Sequence, residues 1–444
     1  MGTRLRDFWE AARSSFWFLP AVLTVAAVGL SFATVAIDRA TAPGSHVFGW
    51  TYRGGPDGAR GVLGTIAGSM IAVAGVVFST TMVALSLASS QLGPRLLRNF
   101  IRDRGNQFVL GTFVATFVYC LLVLRTVNGT EGDVFVPEVG VTAGVALALA
   151  SVGVFIYFLH HAAVSIQAST VVARVGDELT AAIDDLYPGG VGDGAEPGEV
   201  PAAGVPQASV TVETEEAGYV LRVDADALVR TAAERDLVVH LAHPLGRFVR
   251  PGDALMRVAS PAGGPDVETR AALRAAVVVG PTRTGHRDIE FALRQLTEVA
   301  VRALSPGVND PFTAVECVNR LGEAFVRLAG RAFPSPYRLG PDGRLRVVAP
   351  VHAFPDLLAG AVEPIRHHAR GSPQVLAALI EASVAVSANA SRLADRDAVA
   401  RLIAQVVRAA EALPEPDDQA RLKALAQAAD RAIRDADSTH RSQT

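Results

Sequence analysis

Residues 61–94 read GVLGTIAGSMIAVAGVVFSTTMVALSLASSQLGP, which is 34 residues between Arg60 and Arg95 without a charged side chain. A helix needs only about 20 apolar residues to cross the roughly 30 Å of hydrocarbon in a bilayer. As a helix, this stretch would be about 50 Å long, which exceeds the thickness of the membrane core. The stretch therefore predicts a membrane-spanning helix that continues beyond the bilayer.

Three further uncharged stretches are long enough to span a membrane, and they cover residues 14–37, 107–124 and 139–173. The last of them also exceeds the bilayer, and it predicts a helical stalk over 165–186 that joins the membrane part to a soluble part. A cleaved signal peptide is the alternative for the first stretch, because three arginines precede it. Its apolar run is too long for a signal peptide, and further spans follow, so we predict four transmembrane helices.

Charge and composition differ between the two halves of the 444-residue chain. Positions 1–170 hold 11 basic and 8 acidic residues, whereas positions 171–444 hold 30 basic and 36 acidic residues. The chain is 50% hydrophobic and has only two cysteines, which excludes a disordered chain and a secreted disulfide scaffold. The net charge of −3 excludes a basic nucleic-acid-binding protein. We predict the lipid bilayer as a partner of the first half and no nucleic acid as a partner.

The positions of the arginines predict the orientation in the membrane. Seven arginines of the membrane half lie in the N-terminal tail and in the loop after the second span, and four lie in the other two loops. Short loops that carry positive charge are retained in the cytoplasm. Both termini are therefore predicted to be cytoplasmic.

Small residues recur along the second span at spacings of four, seven, four, seven and four. They are Gly64, Gly68, Gly75, Ser79, Ser86 and Ser90, and we call them the small-residue stripe. Eleven residues turn a helix through about 1100°, only about 20° beyond three turns, so the six lie almost on one line. Two interpretations remain open: close helix packing, or the lining of a permeation path in an oligomer.

Ionisable side chains are nearly absent from the predicted spans, and the exceptions are His160 and His161 near the inner end of the fourth. Coupled transporters usually keep an acid or a base at membrane depth. The sequence therefore favours a passive path over a coupled pump. Adjacent residues point in different directions on a helix, so the two histidines are not predicted to share a metal ion.

The soluble half is predicted to be an α+β domain. The predicted organisation is a transmembrane domain with its stalk over 1–187, a Gly/Pro-rich linker over 188–208, a small β-rich unit over 209–284, a mostly helical domain over 285–436 and a disordered tail over 437–444. The helical domain contains a hairpin, YRLGPDGRLRVVAP over 337–350, followed by four helices over about 352–369, 374–393, 396–412 and 417–436. The predicted fold class is thus a four-helix membrane domain followed by a cytoplasmic α+β domain, with a small β unit and a C-terminal helical bundle.

The motifs of common enzymes are missing. The segment GRFVRPGDALMRV over 246–258 is similar to the closing half of a lipoyl-like unit, but the only lysine of the chain is Lys423. A lipoyl or biotin attachment site and a Walker-type phosphate loop are therefore excluded, and the usual hydrolase, zinc-protease and Rossmann patterns are absent. The two cysteines imply neither a disulfide nor a metal cluster. We expect no enzyme activity, no cofactor and no metal.

The segment SPGVNDP over 305–311 lies between two predicted helices, one from Asp288 to about Leu304 and one from Pro311 onward. Asp310 is placed to cap the second helix. The simple interpretation is a tight helical hairpin, stabilised by this cap or by an Arg302–Asp310 ion pair. The alternative is a cytoplasmic site for a ligand or a protein, in which Arg283 or Arg302 supplies the counter-charge. Five side chains would form this site: His286, Asp288, Arg302, Asn309 and Asp310.

Two long segments resemble one family. FSTTMVALSLASSQLGPRLLRNFIRD over 78–103 and RDIEFALRQLTEVAVRALSPGVNDPFTA over 287–314 are similar to the bacterial predicted membrane proteins known as domain of unknown function 2254. The resemblance implies a multi-pass protein with a cytoplasmic C-terminal region, which we expect in the inner (plasma) membrane. It implies no activity.

Two hypotheses of function follow from these observations. The first is a homo-oligomeric channel-like or transport-related protein whose second span lines the path and whose cytoplasmic domain gates or assembles it. The second is a membrane-anchored sensor or scaffold that binds a small ligand or a protein through the SPGVNDP hairpin.

Overall fold

The computed structural model describes residues 17–40, 51–92, 103–130, 133–165, 167–187, 209–260, 263–283 and 288–441. The chain divides into two compact units, Met1–Thr170 and Val171–Thr444. The predicted linker 188–208 and six of the seven predicted inner arginines lie outside the described residues.

The first unit contains the four long apolar helices that the sequence predicts. They are α1 (Phe18–Ala40), α2 (Pro56–Leu92), α3 (Arg104–Leu124) and α4 (Glu138–Ser165). Each is long and apolar enough to cross a membrane. A short hairpin of β1 (Asn128–Thr130) and β2 (Asp133–Phe135) connects α3 to α4.

Helix α3 is the most enclosed of the four, and it contacts α1, α2 and α4. Phe113 and Tyr119 are fully buried along it. Gly111 lets α3 approach the start of α1, because a Cβ atom there would lie 2.9 Å from the Pro20 backbone. Small residues thus allow close helix packing inside this unit.

Helix α5 (Ala168–Leu186) is the predicted stalk, and it is separate from α4. Its residues from Val171 onward belong to the second unit, so the boundary between the units lies at 170/171 instead of at 187. Apolar side chains at intervals of four residues are buried along it: Val171, Val175, Leu179 and Ile183. This spacing gives α5 one apolar face, which packs within the second unit.

Two sheets follow in the chain. Their first six strands are β3 (Ser209–Glu213), β4 (Gly218–Val223), β5 (Val238–Leu241), β6 (Phe248–Val249), β7 (Ala254–Ala259) and β8 (Val277–Gly280). Helix α6 (Ala225–Glu234) lies between β4 and β5 in the chain, and α7 (Val267–Ala275) lies between β7 and β8. The three-stranded sheet has the order β6-β4-β8. The five-stranded sheet has the order β3-β7-β5-β10-β9, and its last two strands are β9 (Tyr337–Leu339) and β10 (Leu345–Val348). The hairpin predicted within the helical domain therefore completes the sheet of the β unit, with β10 parallel to β5.

The helical part begins with α8 (Ile289–Ala303) and α9 (Pro311–Ala329) and continues after β10 with α10 (Phe354–His368), α11 (Pro373–Asn389), α12 (Leu393–Ala410) and α13 (Pro416–Arg441). The four helices predicted after the hairpin are all present, with boundaries shifted by a few residues. Helix α13 extends to Arg441 instead of ending at 436, so residues 437–441 are helical where a disordered tail is predicted. Buried side chains on α9 and α10 include Phe325 and Phe354, whose rings meet edge to face at 5.6 Å.

Candidate functional site

The small-residue stripe lies on the face of α2 that points away from the other helices of the first unit. Gly64, Gly68, Gly75, Ser79 and Ser86 are all exposed. Ser90 belongs to α2, but its side chain lies outside the described part. The buried face of α2 consists of other residues, namely Leu63, Ala67, Met70, Ala74 and Val77. At 100° per residue, the centres of the two faces are about 130° apart. Among the described residues of the first unit, the stripe is therefore an exposed face.

The glycines of the stripe are open to their surroundings. Within the part of the chain that the structure describes, no heavy atom outside the neighbouring backbone lies within 4 Å of the position that a Cβ atom would take at Gly64, Gly68 or Gly75. Gly144 on α4 differs, because a Cβ atom there would lie 3.0 Å from the Leu63 side chain. Glycine inside a helix costs about 0.5–1 kcal/mol relative to alanine. Contacts with the described residues of this chain therefore do not explain the three glycines.

Large apolar side chains flank the stripe on both sides. Around the helix axis, at 100° per residue, one row of apolar side chains lies about 50° from the centre of the stripe. A second row lies about 90° from that centre on the opposite side. The first row is Ile71, Phe78 and Met82, the second is Val76, Val83 and Leu87, and all six are exposed. Together they make a shallow groove with a floor of small residues and apolar rims.

Five of the hydroxyl groups along α2 fall into two sets. Thr65, Ser69 and Thr81 donate to carbonyl groups of the preceding turn at 2.7–2.8 Å, which satisfies a hydroxyl group in an apolar environment. Ser79 and Ser86 lie on the exposed groove floor. The polar groups of the groove are therefore concentrated in the half of α2 that begins at Ser79.

A polar contact that the sequence analysis missed joins α1 to α4. The two carboxylate oxygens of Asp38 accept from the amides of Val139 and Gly140, each at 2.9 Å. Tyr119 donates to the Gly140 carbonyl at 2.9 Å, and its hydroxyl lies 3.0 Å from Thr34 Oγ1. Asp38 directly follows the first uncharged stretch, and this position could have indicated the contact from the sequence. Free amides at the start of a helix favour a carboxylate.

His161 takes part in a second polar contact in this unit. Asp103 caps α3 by accepting from the Gly105 amide at 2.8 Å, and its other oxygen lies 2.9 Å from His161 Nε2. Gly105 makes room for the imidazole ring, because a Cβ atom there would lie 2.7 Å from His161 Nε2. The ring also stacks on Tyr157 with centroids 5.4 Å apart. The histidine therefore connects α4 to the start of α3, while His160 is exposed.

The predicted cytoplasmic site is not assembled. Asp288 caps the start of α8, whereas Arg302 lies in its last turn and Asn309 and Asp310 follow its end. A 15-residue helix is about 22 Å long, so the predicted residues are divided between two ends. His286 lies outside the described residues. Among the residues that the structure describes, no group of three or more His, Cys, Asp or Glu side chains could hold a metal ion.

Asp288 forms a buried ion pair. Arg283 Nε and Nη2 donate to its two oxygens, each at 2.7 Å, and the Phe291 amide donates to Oδ1 at 3.0 Å. Gly246 closes this contact, because a side chain there would overlap both Arg283 and Asp288. The arrangement joins the turn before β6 to the start of α8, which is a structural role.

Asp310 caps α9, as the sequence predicts. Its Oδ1 accepts from the amides of Phe312 and Thr313 at 3.1 Å, and its Oδ2 accepts from the Thr313 hydroxyl. These hydrogen bonds, that of the hydroxyl first, lower the pKa of Asp310. Asn309 adopts a left-handed conformation with φ 51°. The loop is held by its own hydrogen bonds, yet Val308 and Phe312 are 41% and 74% exposed.

Comparisons with known proteins agree with the four apolar helices. A family model described as "Predicted membrane protein (DUF2254)" matches residues 13–385. An uncharacterized protein of Mycobacterium tuberculosis is 35% identical over 415 residues, which cover 93% of this chain and 79% of that relative. An uncharacterized protein of Mycobacterium bovis shows the same identity and coverage. No solved structure matches the chain.

Proposed function

The chain belongs to the DUF2254 family of predicted membrane proteins, and from this premise we propose that it is a homo-oligomeric, channel-like or transport-related protein of the bacterial inner membrane. In the proposed assembly, α2 of each copy faces a shared path. The observation that carries this proposal is the exposure of the small-residue stripe in one protomer. The proposal includes no catalytic step and no nucleic-acid partner.

Oligomerisation would explain the open glycines. Small residues let transmembrane helices approach closely, and this approach supplies packing that lipid chains do not replace equally well. Three glycines with no neighbour among the described residues would otherwise destabilise α2 by roughly 1.5–3 kcal/mol in sum. A neighbouring copy seated at Gly64 and Gly68 would use this space.

The two halves of the groove differ in polarity, and this difference suggests separate roles. The glycine half, from Gly64 to Gly75, suits contact between copies. The half that contains Ser79 and Ser86 suits contact with water, because hydroxyl groups lower the cost of wetting a narrow apolar path. Since the floor carries no charge, we expect passive and weakly selective permeation. We place both termini in the cytoplasm, as the positive-inside rule favours.

The oligomeric state of the purified full chain tests the first part of the proposal. Gly68→Leu places a bulky side chain on the groove floor and is expected to convert the oligomer into the monomer in native mass spectrometry. Gly153→Leu on α4 is the matched control, because Gly153 is also exposed with no neighbour within 4 Å. A monomer for the unsubstituted chain, or equal effects of both variants, would contradict the assembly.

Flux through reconstituted liposomes tests the second part. We expect ion flux under voltage, membrane tension or osmotic shock, and a change in conductance for Ser79→Leu. Val152→Leu on the exposed face of α4 serves as the control. If the unsubstituted protein passes no ion under any of the three stimuli, the channel-like function is wrong even if the oligomer exists.

A sensor or scaffold role is the second candidate, and the exposed Phe312 favours it. A large aromatic side chain on a rigid loop is typical of a residue that anchors a protein partner. Phe312→Ala should abolish capture of such a partner while leaving the thermal stability unchanged. Retention of every captured protein by this variant would count against the role.

A further inference from the structure

An apolar cavity lies between four helices of the second unit. Side chains of α9, α10, α11 and α12 line it, and it contains about 330 Å³ of space that no atom fills, part of which is open to solvent. Each of the four helices contributes a side chain that is at most 5% exposed, in the order Phe325, Leu358, Leu379 and Val399. The cavity is thus surrounded by buried side chains of the helical core, and we call it the helical-core cavity.

Small residues on α9 and α11 explain why this space exists. A Cβ atom at Gly322 would lie 2.9 Å from Ala382 Cβ, so the two helices approach closely at this point. Gly322, Ala382 and Ser383 all line the cavity, and each has too few side-chain atoms to fill it. Larger side chains line it on the same two helices, among them Leu321 and Val386.

Unfilled space of this kind is unfavourable for the core. Protein interiors are close-packed and contain few voids larger than a water molecule. The side chains around a void lose dispersion contacts on that side, and the loss of stability grows with the volume of the void. A molecule seated in the helical-core cavity would therefore make contacts that the chain itself leaves unmade.

The lining determines what kind of molecule suits the cavity. Ser383 carries the one polar side chain of this set of twelve described residues, and its hydroxyl donates to the Leu379 carbonyl at 2.6 Å. A buried water needs two to four polar partners, whereas apolar cavities stay dry and take up small apolar molecules. Since ligand pockets begin at about 300 Å³ and part of this space is open, only a small molecule fits.

We propose that the helical-core cavity is a binding site for a small apolar molecule, of the size of one aromatic ring or a short alkyl chain. Binding needs no charged or hydrogen-bonding group, because the lining side chains offer contact with apolar atoms. Such a ligand stabilises the second unit, since it binds the folded bundle and not the unfolded chain. The site lies wholly within the second unit and does not depend on the proposed permeation path.

Titration of the full chain with benzene tests the site. The protein is placed in lipid nanodiscs, and the methyl groups of its leucine and valine residues are followed by NMR. We expect saturable chemical-shift changes at the lining residues Leu358, Leu379 and Leu402. The methyl groups of Leu228, which is buried in the core of the β unit, should not shift. Uptake of benzene by lipid does not saturate in this way, so saturation identifies a site.

Two variants fill the cavity from different helices. Val386→Leu on α11 and Val362→Leu on α10 each add a methylene group at a lining position. One methylene in a hydrophobic pocket changes affinity by about tenfold or more, so each variant should weaken benzene binding by at least about tenfold. Val375→Leu makes the same change on α11 at a buried position outside the lining, and it should leave the affinity unchanged.

Thermal stability provides a second measurement with these variants. The two filling variants should keep or raise the Tm of the second unit, whereas Val375→Leu should lower it, because it adds atoms to a packed position. The proposal is overturned if the lining methyl groups show no saturable shift. It is also overturned if both filling variants bind benzene as the unsubstituted chain does, or if Val375→Leu weakens binding as much as they do. Because no flux is measured, a protein that binds benzene but passes no ion would refute the proposed function and leave the cavity site standing.

Discussion

Replacing Arg283 by methionine should destabilise the second unit strongly. Arg283 and Asp288 are 10% and 7% exposed at their side chains, and both of their hydrogen bonds measure 2.7 Å. The substitution keeps the apolar stem but leaves the Asp288 carboxylate buried without its cation. Breaking a buried pair in this way costs about 3–5 kcal/mol. Since the Phe291 amide still donates to Asp288, we expect the lower end, about 3 kcal/mol.

The expected shift can be measured by differential scanning calorimetry of the full chain in detergent micelles. For a unit of this size, about 3 kcal/mol corresponds to a decrease in Tm of roughly 6–12 °C. Tryptophan fluorescence would not report the unfolding of the second unit, because the three tryptophans lie at positions 9, 17 and 50, all in the first unit. Arg294→Met is the matched control. Arg294 is 45% exposed and pairs with Glu290 at 2.9 Å, so its loss should cost less than about 1 kcal/mol.

A rescue variant separates the buried charge from simple packing. In the Arg283→Met background, Asp288→Asn should recover much of the lost stability, because asparagine removes the unpaired charge and still caps a helix. The reasoning is refuted if Arg283→Met and Arg294→Met lower the Tm equally, or if the second substitution destabilises the protein further.

Three further outcomes are expected. Gly246→Ala should lower the Tm of the second unit by several degrees, since its methyl group would overlap the same ion pair and its φ of 81° disfavours a side chain. Folding lowers the pKa of Asp310, so its contribution to stability is present above the ordinary value near 3.8 and is lost as the pH falls through the lower folded pKa. The Tm difference between the unsubstituted chain and Asp310→Asn should accordingly narrow below about pH 4, and a constant difference would contradict this account. Tyr119→Phe should destabilise the first unit by about 1 kcal/mol, seen as a small decrease in its thermal transition, because the buried Gly140 carbonyl loses a donor.

Much of the local structure could be predicted from the sequence. Long uncharged stretches predict the four apolar helices, because a bilayer demands a fixed length of apolar chain. The boundaries at Asp288 and Asp310 also follow from local chemistry, since a carboxylate before a run of apolar residues at helical spacing satisfies free amides. The repeat of glycine and serine along α2 needs only the helical period.

Contacts between distant residues could not be predicted in this way. Periodicity shows that α2 has a small face, but the rotation of α2 against α3 decides that Leu63 and Ala67 are buried and Gly64 is exposed. The parallel pairing of β10 with β5 joins residues more than 100 positions apart, and no local pattern encodes such a pairing. The five polar residues near SPGVNDP suggested one site because they are close in the chain, yet a rigid helix of 15 residues holds Asp288 away from Asp310. Local chemistry thus sets which helices form and where they begin, whereas side-chain packing among them sets which faces remain free to bind.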